Sequence, residues 1–283
     1  MAKLLKGLPV AKELTDKLSK RVEELGMQSI RPTLAIVRVG EREDDLAYER
    51  AALKRCKAIG IAAQTFVLDA DCSQTELLGV IDKVNHDKSI HGCLMFRPLP
   101  TTLDEAGACA ALDPNKDVDC ATDQSLLGVF CNRELGFPPC TAEACVQLLD
   151  HYGYELTGAK VTVVGRSMVI GKPVSLMLQA RNATVTMCHT RTKDLAGACK
   201  DADIVVVAAG HAGTVRADFV REGQVVVDVG INWDEANQRL CGDVAFNEVE
   251  RIVEAITPVP GGVGSVTTAV LAKHVVEAAE RLA

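Results

Sequence analysis

Long apolar runs, paired cysteines, clustered histidines and an excess of positive charge are all missing from this chain of 283 residues. No apolar run approaches the ~18 residues a membrane span requires. The opening stretch MAKLLKGLPVAKEL has too little apolar length for a secretory signal, and charges follow at once. A soluble, cytosolic chain that engages no membrane is therefore expected. The eleven cysteines include no CxxC pair, and several sit in apolar runs such as Cys93 in GCLMF and Cys188 in VTMCH, so reduced and mostly buried thiols are expected. The six histidines show neither HxxxH nor HxH spacing, and no metal site is expected. The net charge of −7 argues against nucleic-acid binding driven by bulk charge. An anionic ligand would need its own local cations or backbone N–H groups. There is no low-complexity tract and no repeat of fixed period.

What is present is ordinary globular composition, 48% hydrophobic and 24% charged, in a chain long enough for two domains. Val10, Leu14, Leu18 and Val22 recur at four-residue steps, which predicts an amphipathic helix over 9–25 stopped by Gly26. Strands are predicted at 33–39, 64–68 and 91–96. They are separated by helices over 43–59, closed by Gly60, and from a Ser73 cap to about Val84. The two prolines of RPLP then force an extended exit. The segment 113–140, rich in Asp, Pro, Gly and Cys, reads as a hinge region. In the second half Thr141 caps a helix to about Tyr152. Strands at 160–165, 183–188, 203–209 and 224–230 look buried on both faces, as in a parallel sheet. A final helix over about 267–281 has no following strand and could return to the first domain. Strands alternating with helices give an α/β fold with a doubly wound, Rossmann-like sheet. The domains are drawn as 1–138 plus 267–283, and 139–266.

Ligands of such sheets bind beyond the carboxyl ends of the strands. VTVVGRSMVIGKP (161–173) is a strand, a glycine-bearing turn and a helix start. Gly165, Ser167 and Gly171 stand in GxSxxxG spacing, which lets backbone N–H groups approach a pyrophosphate at a helix N-terminus. A plain βα turn would carry the same residues. The strand at 183–188 ends in His189-Thr190-Arg191-Thr192, where an acidic residue would bind the ribose of NAD. None is present. Arg166, Thr190 and Arg191 offer cations and a hydroxyl instead, which favours NADP, although Arg191 could equally be a solvated surface residue. In the first half Tyr48 lies on the helix after strand 33–39, and Asp119 in PNKDVDC. The tail ITPVPGGVGSVTTA (256–269) can bring backbone close to a ligand.

Eight collinear segments carry a resemblance: VG followed by Tyr48, RPLP at 97–100, PNKDVD at 114–119, PPCTAEACVQLL at 138–149, GRSMVIGKP at 165–173, VDVGIN at 227–232, GDV at 242–244 and ITPVPGGVG at 256–264. Together they make the chain similar, over nearly its whole length, to the methylenetetrahydrofolate dehydrogenase/cyclohydrolase family. The resemblance implies two α/β domains, a homodimer, NADP in the second domain (139–266), and tetrahydrofolate held by the first. It places the chain in one-carbon metabolism and purine biosynthesis. It implies hydride transfer from 5,10-methylenetetrahydrofolate to NADP, then hydrolysis of the methenyl product to 10-formyltetrahydrofolate. Tyr48 and Asp119 match the catalytic pair. Tyr48, Pro98, Leu99, Asp119, Pro260, Gly261 and Thr267 match the substrate side. Gly165, Arg166, Ser167, Thr190, Arg191 and Ile231 match the cofactor side.

Four positions depart from the family pattern. The lysine usual four residues after the tyrosine is Ala52, and the glutamine before LPLP is Phe96. A small residue before the tyrosine is Asp45, and the glycine after the aspartate is Cys120. Lys54 lies about 120° from Tyr48 around the helix, and Arg55 lies about 10 Å along it; Arg55 is also permanently charged and cannot cycle as a base. Hydrolysis needs protons moved, whereas hydride transfer depends mainly on orientation. Dehydrogenase activity with weak or absent cyclohydrolase activity is therefore expected, with Arg97 a candidate for electrostatic compensation. The bifunctional enzyme and a non-catalytic folate- and NADP-binding protein are the alternatives.

Overall fold

The computed structural model describes residues 1–235 and 237–282. In chain order the first half holds β1 (Lys3–Leu4), α1 (Gly7–Met27), β2 (Thr33–Val39), α2 (Glu43–Ile59), β3 (Ala62–Leu68), α3 (Gln74–His86), β4 (Gly92–Met95), α4 (Glu105–Ala111) and α5 (Asp123–Cys131). The second half holds α6 (Cys140–His151), β5 (Lys160–Val164), α7 (Gly171–Ala180), β6 (Thr184–Cys188), α8 (Leu195–Lys200), β7 (Ile204–Val207) and β8 (Val225–Asp228). It closes with β9 (Asn232–Asp234), β10 (Arg239–Cys241), α9 (Phe246–Val249), β11 (Ala255–Ile256) and α10 (Gly264–Arg281).

Two compact units emerge, Glu13–Cys140 with the chain from Thr268 onward, and Met1–Lys12 with Thr141–Thr267. The first unit is built on a parallel sheet in the order β3-β2-β4. The central strand β2 is buried at all seven positions. Ala35 and Val37 of β2 and Cys93 and Met95 of β4 pack with Leu77, Ile81 and Val84 of α3 into one core. The cap expected at Ser73 is present, and it is a full capping box: the Ser73 hydroxyl accepts from Glu76 N, and the Glu76 carboxylate accepts from Ser73 N. Gly60 closes α2 in the left-handed conformation, φ 92°.

The second unit is built on a six-stranded sheet, β1-β11-β8-β7-β5-β6, parallel throughout. β7 and β8 are fully buried, four of four residues each. The strand at 184–188, expected to be buried on both faces, is instead the edge of the sheet. Thr184, Thr186 and Met187 are exposed, because a neighbour pairs on one side only.

Other expectations are also corrected. Gly26 does not stop α1, which runs on to Met27 and ends where Ser29 turns left-handed at φ 63°. The 113–140 segment is no linker. It carries α5 and belongs to the first unit, because its short elements are fastened by buried polar side chains rather than by a long apolar stripe. The first residues belong with the second unit rather than with 13–138, because β1 pairs with β11 and Tyr152 Oη donates to Lys6 O at 2.9 Å. The last helix, as expected, joins the first unit: His274 Nδ1 lies 2.9 Å from Val118 O, and Arg281 donates to Gly136 O at 3.0 Å.

In both sheets the chain reverses its direction of strand addition. The reversal falls between β2 and β4 in one and between β5 and β7 in the other. The loops leaving these strands diverge there, which opens a crevice at the carboxyl end.

Candidate active site

The PNKDVD segment divides its labour. Lys116, 4% exposed, donates its ammonium to Val84 O (2.7 Å), Asn85 O (2.9 Å) and Asp87 O (2.8 Å), and so caps the end of α3. Asp117, fully buried, accepts from Ala121 N, Thr122 N, Thr122 Oγ1 and Ser125 Oγ, which pins the start of α5. With both flanks fixed, Asp119 is presented half-buried at a defined place. Its carboxylate accepts from Cys140 N at 2.9 Å. Burial pushes its pKa up, while the Cys140 hydrogen bonds and the charges of Arg97 and His274 pull the other way.

Tyr48 sits on α2, which leaves the sheet at the reversal beside β4. Its ring meets Phe96 edge-on, with centroids 6.0 Å apart. Burial, then the neighbouring Cys140, Asp119 and Cys56, push the phenol well above its ordinary range. Tyr48 is therefore a neutral hydroxyl at physiological pH, a donor and not a base. The charge of Asp119 is felt at the phenol, so the two side chains lie within electrostatic reach of each other. Ala52, one turn further along α2, is wholly buried. Arg55 is committed elsewhere, donating to Thr15 Oγ1 at 2.7 Å and Thr268 Oγ1 at 3.5 Å.

The loop after β4 is anchored by groups the sequence did not single out. Arg42 donates to Pro98 O at 2.9 Å and pairs with Asp45 at 3.2 Å, so the departure at Asp45 serves to hold Arg42 against the loop. The Arg97–Pro98 peptide is cis. Leu99 is buried and its N–H donates to the Glu105 carboxylate at 2.7 Å, while Pro98 is exposed. Arg97 Nη2 reaches Cys120 O at 3.5 Å. Cys120 adopts φ 58°, a conformation that glycine takes without strain and cysteine does not. His274, a solitary histidine on α10, gave no signal in the sequence, since only the fold brings it to Val118 and Cys140.

In the second unit the Gly165 turn leaves β5 at the reversal. Gly165 has φ 133°, and a Cβ there would overlap Ala208 O at the exit of β7. A Cβ on Gly171 would overlap the Gly165 carbonyl, so the helix α7 starts directly under the turn. Arg166, Ser167, Met168 and Val169 are exposed, and Ser167 Oγ accepts from Ile170 N at 3.1 Å. The adjacent exit of β6 is brought alongside by Gly165 N donating to Cys188 O at 2.9 Å. A tight turn there, His189 N to Thr192 Oγ1 at 2.9 Å and Arg191 N to His189 Nδ1 at 3.1 Å, leaves Thr190 and Arg191 exposed. Open backbone over a helix start with two nearby arginines fits a phosphorylated dinucleotide.

A cavity of about 270 Å³ gathers Ile231, Pro260 and Gly261 with Gly230, Gly262 and Ser265. Thr267 does not line it. It lies a turn further along α10, 6% exposed, its hydroxyl donating to Val263 O at 3.4 Å.

Comparison with known proteins matches these features to one family. Residues 5–119 match the model of the tetrahydrofolate dehydrogenase/cyclohydrolase catalytic domain, and residues 139–283 that of its NAD(P)-binding domain. The chain belongs to this family. It is 51% identical over 275 residues to the bifunctional protein FolD of Clostridioides difficile, covering 97% of this chain and 96% of that one. It is 48% identical to that of Carboxydothermus hydrogenoformans, covering 100% and 99%. Among solved structures, the bifunctional FolD of Campylobacter jejuni superposes with a TM-score of 0.96 at 36% identity, covering 99% of both chains. The Trypanosoma brucei enzyme, solved with NADP cofactor and an inhibitor, gives 0.93 at 34%, covering 99% of this chain and 98% of that one. Shikimate dehydrogenase from Aquifex aeolicus shares the fold alone, at 12% identity and a TM-score of 0.51.

Proposed function

We propose that the chain oxidises 5,10-methylenetetrahydrofolate with NADP and hydrolyses the resulting methenyl cation to 10-formyltetrahydrofolate, as a cytoplasmic homodimer. The observation that carries the oxidoreductase reading is the Gly165–Val169 turn, open at the β5/β7 reversal with Arg166 and Arg191 beside it and no acidic residue in the 189–192 turn that follows β6. NADP supplies the hydride acceptor. Arg166, Ser167, Thr190 and Arg191 bind its phosphates, and Ile231 with the backbone of Pro260 and Gly261 borders its reactive end. Asp119 accepts hydrogen bonds from the pterin, and Tyr48 packs against the folate with its hydroxyl as donor. Pro98 and Leu99 supply the apolar wall. No helix among the described residues is long and apolar enough to cross a membrane.

The expectation of a weak or absent cyclohydrolase finds no support in the relatives, which carry the name bifunctional across 96–99% of their length. They favour the two-activity enzyme. One observation favours the narrower dehydrogenase. The Lys–Gln pair is replaced by a wholly buried Ala52 and by a Phe96 ring against Tyr48, and Tyr48 itself stays protonated.

One assay separates the readings. Purified protein is mixed with NADP and 5,10-methylenetetrahydrofolate, and NADPH and methenyl product are followed together. NADPH rising while methenyl disappears faster than in a protein-free control supports the bifunctional enzyme. Both accumulating in step supports the dehydrogenase alone. Neither appearing, with NAD no better, overturns the catalytic reading in favour of a binding protein.

A further inference from the structure

The VDVGIN and GDV segments each contribute an aspartate that the reaction above leaves without a role. Asp228 ends β8 and is 2% exposed; Asp243 follows β10 and is fully buried. Both are almost wholly buried, and neither lacks a partner. Asp228 Oδ1 accepts from Gly230 N and Asp243 N, both at 3.0 Å, and Oδ2 accepts from Val244 N at 3.0 Å. Asp243 Oδ2 accepts from Ala209 N at 2.6 Å and Gly210 N at 2.8 Å. Asp243 Oδ1 accepts from Asn232 Nδ2 at 2.9 Å.

These donors come from the loops leaving β7 and β8, from the start of β9 and from the turn after β10. Two glycines make the close approach possible. A Cβ on Gly230 would overlap the Asp243 carboxylate, and a Cβ on Gly242 would overlap that of Asp228. Thr257 ties the assembly to β11, accepting from Asp228 N at 2.7 Å and donating to Asp228 O at 3.2 Å. The loops so joined carry Ile231 and border the cavity that gathers Ile231, Pro260 and Gly261. Burying two carboxylates this close together is unfavourable unless their hydrogen bonds are complete. An arrangement serving only to fill a core would be met at lower cost by apolar side chains.

We infer that Asp228 and Asp243 are a positioning pair for hydride transfer, holding the β7 and β8 exit loops and Ile231 in the single arrangement that orients the nicotinamide end of NADP. The inference rests on the oxidoreductase reading above. Both carboxylates act through the backbone N–H groups they hold.

The test swaps the polarity of one hydrogen bond. In Asp243→Asn the amide oxygen still accepts from Ala209 and Gly210, but its NH₂ faces the NH₂ of Asn232. In the double variant Asp243→Asn/Asn232→Asp the donor and acceptor are exchanged and the contact returns. By calorimetric titration with NADP, Asp243→Asn should weaken binding about tenfold and lower kcat by a similar factor, with the KM for the folate unchanged. The double variant should return to within about threefold of wild type. Asn232→Ala, which deletes one donor at a half-buried position, provides a milder variant if Asp243→Asn does not fold, and should weaken NADP binding about threefold. Variants that lose thermal stability but keep wild-type NADP affinity and kcat, or a double variant no better than the single, would overturn the inference and leave the pair structural. A wild-type protein that binds no NADP would remove the oxidoreductase reading, and this inference with it.

Discussion

The two units apply one topological rule with opposite materials. Each parallel sheet reverses its strand order, and each places its candidate residues at the exits beside the reversal. In the smaller sheet the candidates present side chains: the Asp119 carboxylate, the Tyr48 phenol, the Phe96 ring. Buried groups elsewhere, Lys116 and Asp117, exist to aim them. In the larger sheet the working surface is backbone. Gly165, Gly230 and Gly242 allow chains and carboxylates to approach where a Cβ would overlap, and Asp228 and Asp243 hold the loops by their N–H groups. A side-chain site can be altered one residue at a time without moving the chain, and positions 52 and 96 are where that can be tried. A backbone site tolerates few substitutions, because its function is the shape of the chain.

Four measurements would sharpen or break this contrast. The largest effect is expected at Asp119. Asp119→Ala should lower kcat/KM for the folate by about 100-fold or more, with the NADP affinity unaltered. A matching loss of NADP affinity would mean that the two sites are not separable as described. Gly165→Ala should do the reverse. The residue is forced from φ 133° and its methyl meets Ala208 O, so NADP binding should weaken about thirtyfold while folate binding persists.

Third, Ala52→Lys with Phe96→Gln restores the family's pair in the side-chain site and should raise methenyl hydrolysis about tenfold. An unchanged rate in a folded double variant would place hydrolysis elsewhere. The fourth measurement concerns pH and is read in stability rather than in a rate or an affinity. Burial pushes Asp228 up to about 6, reinforced by Asp243, against three backbone hydrogen bonds that pull it down. Arg239, Cys241 and Glu248 also line the cavity that Asp228 borders. Between the ordinary carboxylate range near 4 and about 6 the folded state therefore holds a proton that the unfolded state has lost. The contribution of Asp228 to stability is complete below that window and declines as pH rises through it, by about 3 kcal/mol at most. Urea unfolding between pH 4 and 6 should show this slope in wild type and not in Asp228→Asn. Equal slopes would remove Asp228 as its source.

Much of the frame was legible in the sequence because it rests on local signals. The α2 span, the Gly60 stop, the Ser73 cap and the β2 strand follow from periodicity and cap chemistry acting within a few residues. The family itself was legible from eight collinear segments. The 113–140 region was misread because its order comes from Asp117 and Lys116, which are buried and hydrogen-bonded only once distant backbone is in place. Polar, turn-rich composition looks the same in a linker and in a pinned loop.

The sequence by itself determined the α/β class, the βαβ rhythm, the glycine turn after β5 and the absence of a lysine at position 52. All of these are properties of residue type and spacing. Only the tertiary structure decided that β6 is an edge, that β1 joins β11, and that Tyr48 shares its surroundings with Asp119, Cys140 and Phe96. It alone decided that two aspartates fifteen residues apart clamp the exits of neighbouring strands. These depend on which distant groups are buried together. Burial sets both the electrostatic state of a carboxylate and the hydrogen bonds left to it.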